Sequence, residues 1–181
     1  MELQKYLTEH HRKLVDKWVA AVIETYPKDS VKFFLNTKDP FANPVGNTIK
    51  RSIDLLFAEV IKQKMDPAAV NEAMDPIIRL RAVQEFSPSR AIAFILTIKH
   101  LLSDALKKHR TDKEVALFLE NVAANTDELI LIAVDIYGKC REKIYLLRIN
   151  QSKESLKKLL IKNDLLCEIP DPNSQISELK E

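Results

Sequence analysis

Glycine is nearly missing from this chain, with two in 181 residues. Phosphate loops and nucleophile elbows need glycine where the backbone turns tightly or approaches a ligand, and neither motif is found. No nucleophile with a nearby base and no paired catalytic carboxylates can be picked out either, which lowers the case for an enzyme. Cysteine is equally scarce. Cys140 and Cys167 lie far apart, without CxxC or a partnered histidine spacing, which speaks against a disulfide framework or a zinc site. Long apolar runs are absent as well: no stretch approaches the roughly 18 uninterrupted apolar residues of a membrane span. The amino-terminal MELQKYLTEHHRKLVDKW is charged and has no apolar core of a signal peptide, so the chain is expected in a bacterial or general cytoplasm. Excess charge is lacking too. Lys and Arg number 28 against 26 Asp and Glu, a net +2, which argues against a dedicated nucleic-acid binder.

What remains is rich in Leu, Ile, Ala, Lys and Glu, and it reads as an all-α fold. Helical spacing predicts a first helix from Glu2 to about Tyr26, stopped by Pro27. Ser30 is expected to cap a short second helix carrying Phe33 and Phe34. Asn43 before Pro44 predicts the start of a third helix running to about Lys64. The same signal recurs at Asp66-Pro67, Asp75-Pro76 and Ser87-Pro88. It predicts a short helix, then one from Ile77 to Phe86, then a deeply buried one from Pro88 to about Lys108.

The longest element is expected from Thr111 to Asn150, where Thr111 and Glu114 form a capping box. Leu119, Val122, Thr126, Leu129, Ala133, Ile136 and Cys140 make its apolar seam, which meets Lys143, Leu147 and Asn150 and fades. Residues 151–166 either continue this helix or fold back. The expected organisation is one helical domain over residues 1–163, a bundle for which a globin-like topology is one option, and a disordered acidic tail over residues 164–181.

Few residues stand out for chemistry. Arg79, Arg81 and Gln84 form a polar group beside the predicted helix start at Ser87, suited to a carboxylate or phosphate. The simpler reading is that the arginines pair with Asp75, Glu85 or other carboxylates. His100 is the candidate for a haem ligand, but it lies on the least apolar side of its helix, where a partly exposed structural role fits better. No cofactor and no metal are expected. Cys140, on the seam, reads as a small buried hydrophobe. From Lys139 to Lys162 eight basic residues face two acidic ones, which suits an acidic partner or a solvated helix face.

Three stretches, DPFANPVG (39–46), IRLRAVQEFSPSRA (78–91) and DIYGKCREKIYLLRIN (135–150), together resemble the N-terminal domain of the RsbT co-antagonist protein RsbRD. The resemblance covers roughly residues 10–160. It implies a helical sensory domain, related to the non-haem globin sensors of stressosome proteins, that normally precedes a STAS domain or a histidine kinase. A stand-alone copy without either output module is the expectation here. The expected function is a non-catalytic bacterial sensory or regulatory input domain acting through helix packing; the alternative is a small-molecule or haem-binding helical protein. A homodimer and a regulatory protein partner are expected, with Lys143, Leu147, Arg148 and Asn150 as contact residues.

Overall fold

The computed structural model describes residues 2–37 and 39–163. The tail expected over residues 164–181 lies outside the described residues. The chain divides into two compact units, one ending at Arg141 and the other starting at Glu142. The described residues are helical, with no strand among them.

The first unit begins with α1, Leu3–Ile23, which buries Leu3, Leu7, Leu14, Trp18 and Val22 at the spacing of one helix face. Then come α2, Lys28–Asn36, α3, Pro44–Val60, and α4, Pro67–Val83. Helix α2 starts two residues before Ser30, on Pro27, and buries none of its residues. Asn43 does cap α3: its Oδ1 accepts the Gly46 N–H, while its Nδ2 donates to the carbonyls of Phe34 and Thr37. One buried amide thereby ties the end of α2 to the start of α3. Gly46 is needed at this cap, because a Cβ there would lie 2.4 Å from Asn43 Nδ2.

Helices α3 and α4 pack extensively on each other, and Ile49, Ile53, Leu56 and Phe57 of the first and Val70, Met74, Ile77 and Ile78 of the second are all fully enclosed. Each such side chain contributes about 1.5–3 kcal/mol by leaving water. Asp66 caps α4 through a bond from the Ala68 N–H. The helix expected to begin at Pro76 does not begin there: Pro76 sits inside α4. Its missing N–H costs one ladder bond, to the Glu72 carbonyl, and both Glu72 and Pro76 lie on the exposed side, where water can serve that oxygen.

The helix expected from Pro88 to Lys108 is instead a series of pieces. These are α5, Pro88–Ile92, a tight 3-10 turn over Ala93–Leu96, α6, Thr97–Ala105, and a second 3-10 turn over Lys107–His109. Side chains from elsewhere take carbonyls at this break: Trp18 Nε1 donates to Phe94 O at 2.8 Å, and Arg81 donates to Arg90 O and Ala91 O.

Helix α7, Lys113–Lys162, starts two residues after Thr111, and the helix continues past Asn150. Its residues to Arg141 belong to the first unit and bury Val115, Val122, Asn125, Thr126, Leu129, Ala133, Tyr137 and Cys140. Leu119 and Ile136 of the expected seam are only half-buried. In the second unit, the helical residues from Glu142 are almost all exposed.

Candidate functional site

Arg81 lies in the last turn of α4 and is fully buried, the largest enclosed side chain after Trp18. Its Nη2 donates to Val22 O at 3.1 Å and to Thr25 Oγ1 at 2.9 Å, at the carboxyl end of α1. Its Nη1 donates to Arg90 O at 3.1 Å and Ala91 O at 3.4 Å. The guanidinium carbon sits 4.9 Å from the Phe94 ring centre, 5.1 Å from Phe86 and 5.5 Å from Tyr26. Among the described residues no carboxylate pairs with it.

A buried cation without a counter-ion needs dipoles instead. Backbone carbonyls, the negative end of the α1 macrodipole and three aromatic faces supply them. Burial still pulls the arginine below its ordinary proton affinity, with neighbouring Tyr26 opposing. The same burial raises the Tyr26 phenol, while Arg81 acts in the other direction. Tyr26 Oη and Arg81 Nε couple electrostatically but are enclosed without a hydrogen-bond partner of good geometry.

Just beyond Arg81, α4 ends in a Schellman arrangement. Phe86 N–H reaches back to Arg81 O and Glu85 N–H to Ala82 O, with Glu85 in the left-handed region at φ 61°. That position favours glycine, which this sequence hardly uses.

Helix α7 then closes on the same end. Tyr137 Oη donates to Phe86 O at 2.7 Å, and Arg141 Nη1 donates to Ala82 O at 3.1 Å. A matching contact lies at the end of α3, where Asn125 Nδ2 donates to Val60 O and Lys62 O, and Asn121 Nδ2 also donates to Lys62 O. Two helix ends with unspent carbonyls are thus both held by polar side chains of α7. Each such bond is worth about 0.5–1.5 kcal/mol net and adds direction to a seat that the buried Val115, Val122, Leu129 and Ala133 make largely apolar.

The sequence-derived candidates fall in different places. Arg79 is exposed and pairs with Asp75, one turn earlier, at 2.6 Å; that bond raises its proton affinity. Arg81 points the other way, into the core, and Gln84 is exposed at the cap of α4. The structure does not bring the two arginines together. Lys143, Leu147, Arg148 and Asn150 are all exposed in the second unit. His100 is exposed, and no cluster of metal-ligating side chains occurs among the described residues.

Sequence reasoning gave Asn121 and Asn125 no role, and it quoted Tyr137 and Arg141 only within the stretch 135–150, without this contact. The available signal was a polar or amphipathic residue directly beside a seam position, as with Asn125 next to Thr126, Tyr137 next to Ile136 and Arg141 next to Cys140.

The stretches 78–91 and 135–150, quoted above for their resemblance, meet at this junction through Tyr137 and Arg141. An uncharacterized protein of Archaeoglobus fulgidus is 23% identical over 146 residues, spanning 80% of this chain and 86% of that one. No solved structure matches the chain. The family model described as the RsbT co-antagonist protein rsbRD N-terminal domain matches residues 12–151, and the chain belongs to that family.

Proposed function

We propose that this chain is a non-catalytic regulatory input domain that passes a signal by altering the seat of α7 on the ends of α3 and α4. The family supports a regulatory role. The observation that carries the reading is the polar contact of Tyr137 and Arg141 with the carbonyls of Phe86 and Ala82. The side-chain bonds at the α4 end can exchange partners while the buried row of Val122, Leu129 and Ala133 keeps the rest of α7 in place, so the reseating is confined to the last turns before Arg141. The output is a regulatory protein partner, reached through the basic segment that includes Lys143, Leu147, Arg148 and Asn150, and the working form is a homodimer.

Affinity capture from the source cells with the full chain, followed by mass spectrometry, tests this. Wild type should retain a signalling protein that Lys143→Glu with Leu147→Glu loses. Equal recovery by both baits, or recovery of the bait alone, overturns the reading.

A second reading, a small-molecule-binding helical protein, draws on the unpartnered Tyr26 Oη and Arg81 Nε. Native mass spectrometry of the purified chain decides it. A retained mass lost in Tyr26→Phe supports the reading, and an empty protein removes it.

A further inference from the structure

The first-unit part of α7 has an outward face that the domain leaves uncovered. Leu117, Ala124, Leu131 and Gly138 recur every seventh residue, with Val134 beside them, and all are exposed. Leu117 is 67% and Leu131 68% exposed. Side chains of that size in a row on the surface mark a contact with something else. Gly138 adds a separate hint: a Cβ there would meet nothing within 4 Å, so nothing described in the chain requires glycine in the middle of this helix. The face is also acidic, bordered by Glu120, Asp127, Glu128 and Asp135, of which Asp127 is paired with Lys99.

Residues from Lys143 to Lys162 present the opposite charge. Leu146, Ile149, Leu156 and Leu160 are spaced by three, seven and four along the helix, with Lys153 completing the row in the gap of seven and Leu159 at its edge. Lys143 and Lys157 flank this row, and Glu154 is the one acidic residue between Lys143 and Lys162.

Pairing either face with its own copy sets acids against acids or lysines against lysines. Pairing one with the other joins apolar to apolar and acid to base. The lengths agree as well, because fifteen residues from Leu146 to Leu160 span roughly 22 Å and fit within the roughly 32 Å of the Leu117–Gly138 row. We propose that residues 143–162 of one copy seat on the Leu117–Gly138 face of α7 in a second copy, and that the contact is reciprocal, each chain giving a basic segment and receiving one. The inference rests on the homodimer reading above and names its surfaces. A two-fold axis generates such an exchange, because each subunit carries both halves of the contact.

Sedimentation equilibrium of the full chain across the micromolar range tests it with two surface variants, Leu131→Glu and Leu156→Glu. Wild type should dimerise, and each variant alone should lose at least about tenfold in affinity. Mixed in equal amounts, the two variants should recover a heterodimer, because one undamaged segment then meets one undamaged face. A mixture that stays monomeric means that like faces pair, and overturns the proposal. A wild type that stays monomeric, or that dimerises unchanged in both variants, also overturns it. Circular dichroism of each variant monitors folding. Should Leu131→Glu unfold, the exposed Glu120→Lys with Glu128→Lys replaces it, and Lys153→Glu with Lys157→Glu should restore that variant's dimer in the mixture. Capture of the signalling partner by a dimer-deficient chain separates failure of this contact from failure of the regulatory reading.

Discussion

Replacing Arg81 by Met separates the roles of charge and geometry in the centre of the first unit. Methionine keeps much of the volume and removes both the desolvated charge and its donors. Val22 O keeps donors after the change, from Thr25 N–H and Thr25 Oγ1, so the loss falls on Arg90 O and Ala91 O. A buried carbonyl deprived of its partner costs about 1–3 kcal/mol, and relief of the buried charge offsets part of two such penalties. The expected loss is about 2–4 kcal/mol, a large part of the roughly 5–15 kcal/mol that keeps a domain folded.

Arg81→Lys should be no milder, because one ammonium cannot span the α1 and α5 carbonyls together and is more strongly hydrated than a guanidinium. Urea unfolding followed by Trp18 fluorescence measures both, since Trp18 is the single tryptophan, is fully buried and donates to the Phe94 carbonyl beside Arg81. With a typical urea dependence, a loss of about 3 kcal/mol lowers the midpoint by about 1–3 M. A lysine variant close to wild type, with the methionine variant far below both, would refute the reasoning, because charge rather than the planar fork would then be what matters.

Tyr26 ionises later in the folded chain than in the unfolded one, so its contribution is complete below pH 10 and is lost as the pH rises through the folded value. Tyr26→Phe should therefore flatten the alkaline fall in stability, and be close to neutral at pH 7 since its hydroxyl makes no hydrogen bond of good geometry; pH-dependent urea midpoints check both. Asn43→Ala removes the α3 cap and both bonds back to the end of α2, and should cost about 1–2 kcal/mol in the same assay. Gly138→Ala has open space for its methyl group and should stabilise α7 by up to about 1 kcal/mol, seen as a raised thermal midpoint at concentrations too low for association.

Much of the helical layout could be read from local chemistry. The caps at Asn43-Pro44 and Asp66-Pro67 lie where the side chain and the ring predict, because both act within one turn. Asp75-Pro76 carries the same letters, yet α4 runs through it, since α4 packs on both sides of the proline and its burial of Met74, Ile77 and Ile78 outweighs one lost bond. The break at Ala93–Leu96 was not legible for another reason. Two side chains that take its carbonyls, Trp18 and Arg81, come from other helices and are adjacent only once the chain has folded. Arg81 itself was singled out as polar and near a helix end, but whether it faces solvent or core depends on the register of α4 against α1. Composition does not encode that register.

The arrangement around Arg81 also bears on how the domain opens. A single side chain of α4 is bonded to the end of α1 and to α5, so neither can separate without exposing a desolvated cation to a half-empty site. Local fluctuations there should be suppressed in favour of concerted ones. Amide hydrogens in the last turns of α1 and α4 should exchange with deuterium at one common rate set by joint opening. The amides of α2, which buries no residue, should exchange independently and sooner.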